Sequence, residues 1–484
     1  MGAYEEFLRG KSERAEPVGF EPCDVNGMLF DWQRDIVRWA CRRGRSSIFA
    51  DCGLGKTAMQ LEWARQAVES MRPDSAMALV VAPLAVAEQT VAEGEKFGIQ
   101  VSHVREMPPG GSRGIYVTNY EMLGHFDLGA FAAVVLDESS ILKSHDSKTR
   151  KALTDGLRHV PYVLCCTATP APNDQMELGT HAEICGAMTR AEMLATFFTH
   201  DGGNTSKWRL KGHARVDFYR WMATWAVMLS RPQDIGYEAR GYELPPLNVR
   251  TVDVAMPESH ASEDGTLFDM PANGIRDVRR ARREAMPAKV AAIAEKVNGT
   301  PGQWCVWCEL NDESSALAAA IPDAVEVRGS DSPEHKADAM LGFSDGRYRV
   351  IVSKPSICGF GMNWQGCHQM AFCGLSYSYE QFYQAVRRCW RFGQAHAVDV
   401  LVFSTEREGG VVAAVEEKER MVEDTKRGMV EAMADETRAQ LGGERDDNVP
   451  DCQHADAEGD GWQMLLGDCV ERMAEVPDDS VGLT

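Results

Sequence analysis

From Phe30 to about Arg240, short apolar runs alternate with longer amphipathic stretches: SSIFA is followed by TAMQLEWARQAVESM, and that by AMALVVAP. A short continuous apolar run suits a strand covered on both faces, whereas apolar positions recurring every three or four residues suit a helix with one buried side. Their alternation predicts strands and helices in turn, the rhythm of a parallel α/β sheet. The same rhythm resumes near Pro287 and runs to Ser404, with WCVWCEL, AVEVRG, YRVIVS, QMAFCG and DVLVFS as buried strands. The expected fold class is therefore α/β, with two lobes built on parallel sheets.

Between the lobes, PESHASEDGTLFDMPANG is polar and has no periodicity, which predicts a surface loop or connector. A charged segment with a helical pattern, EEKERMVEDTKRGMVEAMADETRAQ, is followed by GGERDDNVPDCQHADAEGDG, whose composition is that of an acidic linker. The expected organisation is an N-terminal segment over 1–24, a first lobe with its joining helices over 25–240, and a connector over 241–286. A second lobe over 287–432, an acidic linker over 433–461 and a final piece over 462–484 complete it. A length of 484 residues exceeds what one ordinary core holds, consistent with this division.

The formal charge of −21 is unevenly spread. Residues 431–484 hold 15 acidic and 3 basic side chains, so more than half of the excess lies in the tail and a local basic groove remains open elsewhere. The acidity still counts against tight, indiscriminate binding to nucleic acid. No run is long and apolar enough to cross a bilayer, and the opening MGAYEEFLRGKSERAEP lacks the apolar centre of a secretory signal. The expectation is a soluble cytoplasmic protein whose 14 cysteines are reduced, Cys165, Cys166, Cys305 and Cys373 standing in strand-like runs.

Three segments carry chemistry. Asp51-Cys-Gly-Leu-Gly-Lys-Thr57 follows a strand and opens a helix, where Gly53 and Gly55 let backbone N–H groups wrap a polyphosphate. Lys56 then reaches the outer phosphates and Thr57 holds Mg²⁺, although Ala50 stands where the general pattern has its first glycine. FAAVVLDESS ends a strand in Asp137 and Glu138, placing one carboxylate for the Mg²⁺ shell and one for the attacking water. A solvated acidic turn is the plainer reading of that segment by itself. In Gln384-Ala-Val-Arg-Arg388-Cys-Trp-Arg391, the two arginines are three apart and so on one helix face, where they could offset charge on a transferring phosphoryl group. A merely solvated basic face is the alternative.

Taken together, the stretch Phe30–Gln394 resembles the superfamily-two helicases, and within them the Swi/Snf-type duplex DNA translocases with their phage and bacterial relatives. Beyond the three segments, the resemblance rests on Gln33, similar to the family's adenine-reading glutamine; VVAPLAV around Pro83; VTNYEML with Asn119 and Tyr120; CCTATPAPN with Thr167 and Thr169; and SKPSICGFGMNWQG with Gly359, Gly361 and Asn363. The resemblance implies ATP and Mg²⁺ in the cleft between two RecA-like lobes, Gln33 and Gly361 joining the phosphate loop at the nucleotide. It implies coupling of hydrolysis to motion through Thr167, Thr169 and Gln384, and DNA near Pro83, Asn119, Tyr120, Gly359 and Asn363. MLSRPQDIGYEARGYELPP is similar to the stretch joining the lobes in the Swi/Snf type, which favours translocation over strand separation. The chain departs from the pattern at Arg387, where the remodelling ATPases usually carry Asp, and at the acidic segment, which reads Asp-Glu-Ser-Ser.

HDGGNTSKWRLKGHARVDFYRWMATWAV interleaves cations with rings, so Lys207 and Trp208 are candidate nucleic-acid contacts; the alternative is a solvated basic loop followed by a helix whose aromatics are buried. Cys305-Val-Trp-Cys308 has redox-like spacing but reads as a buried strand. The last residues, WQMLLGDCVERMAEVPDDSVGLT with Asp468, resemble the opening strand and helix of DNA amino-methyltransferases and stop before the catalytic motif of that family. A truncated or split junction to a methyltransferase partner is the expectation. Two readings stay open beside the ATPase: a non-catalytic DNA-binding scaffold, and the helicase part of a methyltransferase fusion.

Overall fold

The computed structural model describes residues 17–71, 76–108, 112–143, 148–171, 175–201, 204–238, 244–256, 275–358, 363–405, 408–441, 457–459 and 462–464. The chain divides into two compact units, residues 1–441 and 442–484.

The first unit contains two parallel sheets. In the first, β1 (Arg45–Ala50), β2 (Met77–Ala82), β3 (Val101–His103), β4 (Gly114–Asn119), β5 (Ala133–Asp137), β6 (Tyr162–Thr167) and, beyond an antiparallel hairpin of β7 (Phe198–Asp201) and β8 (Asn204–Leu210), β9 (Ala226–Leu229) assemble in the order β3-β4-β2-β5-β6-β1-β9. Every neighbouring pair in that sheet is parallel. Successive side chains of a strand point to opposite faces, and here both faces are covered. Ala78, Val80 and Ala82 pack with the helices Asp31–Arg43 and Lys56–Ser70, while Leu79 and Val81 pack on the other side with Phe131, Leu153 and Leu157. That double cover is why the strands read as unbroken apolar runs.

The second sheet is built from β10 (Leu247–Asp253), β11 (Trp304–Trp307), β12 (Ala324–Val327), β13 (Val350–Ser353), β14 (Gln369–Phe372) and β15 (Val398–Ser404), in the order β10-β15-β14-β11-β13-β12, again all parallel. Cys305 and Trp307 face one core, Trp304, Val306 and Cys308 the other. Cys305–Cys308 is thus a buried strand and its end, and burial pushes the Cys308 thiol up to about 12. The expected α/β class with two parallel-sheet lobes is the one observed.

Three boundaries differ from the sequence reading. Residues 247–253, assigned above to the connector, form an edge strand of the second sheet. Val249, Arg250 and Thr251 are exposed and the polar Asn248 and Arg250 interrupt the strand, so it gave no apolar run to recognise. The helix Ile275–Asn298 passes straight through Pro287, where the second lobe was expected to begin. At the far end, the helix Gly409–Leu441 continues past residue 432. Val411 and Val415 lie in the core of the second lobe, whereas Met429, Val430 and Met433 are buried among Phe218, Met222 and Trp225 of the first, and Leu441 among residues packed on the first sheet. This closing helix crosses from one lobe to the other. The basic stretch around Trp208, expected as a loop, belongs to the hairpin β7–β8, and the helix after it buries Phe218.

No helix among the described residues is long and apolar enough to cross a membrane. None of the described cysteines forms a disulfide. In the second unit, β16 (Ala457–Gly459) and β17 (Trp462–Met464) pair antiparallel as a short hairpin; Asp468 lies outside the described residues.

Candidate nucleotide site

The C-terminal ends of β1, β6 and β5, three adjacent strands, bring the segments read from the sequence to one edge of the first sheet, where a parallel sheet presents its binding loops. β1 leads into the loop 51–55. Gly53 and Gly55 adopt φ of 89° and 70°, left-handed values that an L side chain resists. Space excludes a side chain as well: a Cβ on Gly55 would stand 2.4 Å from Gln33 Nε2, and one on Gly53 would stand 2.9 Å from Phe392 N of the second lobe. Gly55 caps the helix Lys56–Ser70.

Lys56 folds back on its own loop, Nζ donating to Ala50 O at 2.9 Å and Asp51 O at 3.2 Å. Thr57 follows in the first helical turn. Gln33 joins two elements: its Oε1 accepts from Phe30 N–H at 3.0 Å, closing the start of the helix Asp31–Arg43, and its Nε2 donates to Leu54 O at 3.1 Å. A cavity of about 570 Å³ opens beside the loop, lined by Asp51, Cys52, Gly53 and Leu54 and, from the second lobe, Arg387, Trp390 and Phe392.

Asp137 ends β5 and receives the Gln60 side-chain amide at Oδ1, 2.7 Å away. Burial raises the Asp137 carboxyl, and the Gln60 hydrogen bond and the charges of Lys56 and Arg388 offset part of that. Glu138 sits at φ 50°, a strained value for a non-glycine residue, and its carboxyl is also raised, by burial and the neighbouring Asp137 against the pull of Lys56 and Arg388. Thr167 Oγ1 donates to Glu138 Oε2 at 3.4 Å, and Thr169 N–H donates to Thr167 Oγ1 at 3.1 Å, so the two threonines connect to the acidic pair. Behind it, Ser139 Oγ and His181 Nε2 are 3.0 Å apart in full burial.

The second lobe contributes cations. Ser378 caps the helix Tyr379–Val386 by accepting from Gln381 N–H, and the helix ends before the arginines. Arg388 and Arg391 therefore stand in the turns that follow, not on a helix face as expected; the chain leaves helical geometry there as Trp364 N–H bonds Arg388 O. Gln384 holds Arg388 twice, its O accepting from Nε at 3.0 Å and its Oε1 from Nη2 at 3.1 Å. Burial, with Arg388 beside it, lowers the Arg391 guanidinium to about 10, still a cation at neutral pH. The influence of Arg388 on both carboxylates ties the two lobes at this site.

Three further groups escaped the sequence reading. Gln60 lies four residues after Lys56 and so on the same helix face, a signal that was there to use. His181 and Lys426 gave none. Lys426, on the closing helix, reaches Asp51 Oδ2 at 2.6 Å, where Arg387 also approaches at 3.4 Å and the Tyr383 hydroxyl donates to Oδ1.

The residues expected near DNA are divided. Asn119 is buried, its side chain accepting from Met122 N–H at 3.2 Å, and Tyr120 is buried with its hydroxyl donating to Asp137 O at 2.7 Å. Both are buried where β4 ends. Pro83 is half-buried beside the exposed Leu84. Trp208 is half-buried, its ring 3.8 Å from that of His200. Asn363 is half-buried and its carbonyl accepts from Ser344 Oγ. Gly359, Gly361 and the Lys207 side chain lie outside the described residues.

Residues 288–393 match the model of the helicase conserved C-terminal domain. The matched span contains Gln384, Arg388 and Arg391. Among solved structures, the chain is similar to the Sulfolobus solfataricus SWI2/SNF2 ATPase core in complex with dsDNA, at 16% identity over 87% of this chain and 98% of that one, with a TM-score of 0.41. No curated protein matches.

Proposed function

We propose that this chain is a nucleic-acid-dependent ATPase that couples hydrolysis to movement along duplex DNA. The observation that carries the reading is the meeting of two lobes at one site: phosphate loop and paired carboxylates from the first, Arg388 and Arg391 from the second. The helicase match over the second lobe supports it.

The residues suit a nucleotide with its metal. Gln60 Oε1 and Thr169 Oγ1 in the first lobe and Gln384 Nε2 in the second are buried polar atoms with no hydrogen-bond partner among the described residues. A carboxylate pair whose charge is disfavoured by burial is suited to a cation. Thr57 and Asp137 would hold Mg²⁺, which, when bound, neutralises charge on the outer phosphates. The backbone N–H groups at Gly53 and Gly55 would take phosphate oxygens, and Lys56 would exchange its loop carbonyls for them. Glu138 would orient the attacking water, and Arg388 and Arg391 would offset charge on the transferring group when the lobes close. Through Thr167 and Thr169 that event would be passed along the first lobe, with Gln384 fixing Arg388. Gln33 and Gly361 complete the proposed nucleotide contacts.

Duplex DNA as the track, the Swi/Snf-like subtype, the phage or bacterial setting and a methyltransferase partner follow from the resemblance in sequence and belong to the proposal. So do DNA contacts by the segments of Pro83, Asn119, Tyr120, Lys207, Trp208, Gly359 and Asn363. The deciding experiment is steady-state ATP hydrolysis without nucleic acid and with duplex DNA, single-stranded DNA or RNA, Lys56→Ala serving as control. Stimulation by duplex DNA that vanishes in the variant is the expected result. Absence of Lys56-dependent hydrolysis under all four conditions would overturn the reading in favour of a scaffold.

A further inference from the structure

The closing helix, Gly409–Leu441, leaves the core of the second lobe and ends in that of the first, and midway it delivers Lys426 to the phosphate loop. We propose that Lys426 is a positioning residue for nucleotide turnover, neutralising Asp51 and fixing the phosphate loop against the second lobe; this rests on the nucleotide reading of that loop.

Asp51 is the first residue of the loop and is buried. Its carboxylate receives groups from two elements outside its own lobe's sheet: Lys426 Nζ at 2.6 Å from the closing helix, and Arg387 at 3.4 Å with the Tyr383 hydroxyl from the region of the helix Tyr379–Val386. Burial by itself would push this carboxyl up, but the charges of Lys426 and Arg387 more than offset it, holding it below the usual carboxylate range. The group is a fixed anion beside a loop that must admit a polyphosphate. Uncompensated, it would repel that ligand across a poorly screened distance; with two cations on it, the local balance is positive.

The two cations are held differently. Arg387 is lodged between the rings of Tyr383 and Trp390, 5.1 and 4.3 Å from their centroids, and so is anchored within the second lobe. Lys426 is 16% exposed and comes from the element that spans both lobes, so its contact reports whether the helix is seated across the cleft. No step of hydrolysis requires Lys426 to touch the reacting atoms. Its effect should appear in how well the loop accepts nucleotide.

The test uses the full chain with Lys426→Gln, Lys426→Arg, Asp51→Asn and the Asp51→Asn/Lys426→Gln pair, measuring kcat and KM for ATP with saturating duplex DNA. Lys426→Gln should raise KM about tenfold, within the range of coupling between contacting residues, with kcat changed less than about twofold. Lys426→Arg should restore KM. The double variant should recover most of the loss, because the uncompensated carboxylate is gone. An unchanged KM in Lys426→Gln, or a loss that neither Lys426→Arg nor the double variant relieves, would overturn the proposal. If the wild-type chain shows no Lys56-dependent hydrolysis, the nucleotide reading fails separately, and hydrogen exchange then decides the contact itself. Lys426→Gln should speed exchange of the amides at 51–55, and unchanged exchange there would end the positioning role.

Discussion

Gln60 donates its side-chain amide to Asp137 Oδ1 across 2.7 Å, joining the helix that follows the glycine loop 51–55 to the strand that ends in the acidic pair. The bond favours the ionised form of a carboxylate whose burial opposes it. Gln60→Ala should therefore lower ATP turnover on the order of tenfold, the scale of one hydrogen bond to a charged group. Gln60→Glu would add a third carboxylate at the same place and should cost more than Gln60→Ala, a ranking that steady-state hydrolysis with matched melting curves can check.

Three substitutions separate binding from chemistry. Lys56→Ala should abolish turnover; Glu138→Gln should bind nucleotide and fail to hydrolyse it; Arg391→Ala should spare binding and lose turnover. Fluorescent-nucleotide titration beside phosphate release distinguishes the three. Retained hydrolysis in all of them would remove the site assignment.

Gln384 holds Arg388 through both its carbonyl groups. Losing the side-chain half should matter only through the arginine, so Gln384→Ala is expected to reduce kcat by about tenfold and to add nothing once Arg388→Ala is present. Additive losses in the double variant would show that Gln384 acts elsewhere.

His181 is fully buried against Ser139, and burial lowers its imidazole from 6.5 to about 4. The folded chain keeps this ring neutral while the unfolded chain takes up a proton below 6.5. Stability from this group is thus complete above pH 6.5 and falls as pH drops from 6.5 to about 4, by on the order of 3 kcal/mol. His181→Gln should flatten the pH dependence of the melting temperature across that window, while a slope equal to wild type would exclude His181 as its source.

In the second lobe, Lys289 is buried with Nζ 2.9 and 3.0 Å from the two oxygens of Glu408, which Arg282 also approaches at 3.3 Å. Glu313 is buried within 4.0 Å of Lys289 and 3.9 Å of Arg282, so removing Lys289 leaves two buried carboxylates facing one cation. Lys289→Met should destabilise the chain by about 3–5 kcal/mol, and pairing it with Glu408→Gln should return part of that, as denaturant titration would report.

The segments of the candidate site could be read from the chain because each is local. The strand–loop–helix of residues 45–70 carries its own glycines and lysine, and FAAVVLDESS its own carboxylates. Groups that act on those parts from a distance could not be read so easily. Tyr120 illustrates the limit: its hydroxyl meets Asp137 O, a partner that its own segment does not name.

The sequence by itself determined that there are two parallel-sheet lobes and which short segments sit at the strand ends, because strands covered on both faces must be continuously apolar and a loop turning through left-handed φ needs its glycines at fixed places. Tertiary structure decided the rest. The exposed edge strand Leu247–Asp253 acquires its place only by pairing with Val398–Ser404, and the helix Gly409–Leu441 crosses between lobes because the cores of both offer places for its apolar residues. Lys426 meets Asp51 for the same reason: pairing between residues so remote in the chain is set by packing, and no local pattern encodes it.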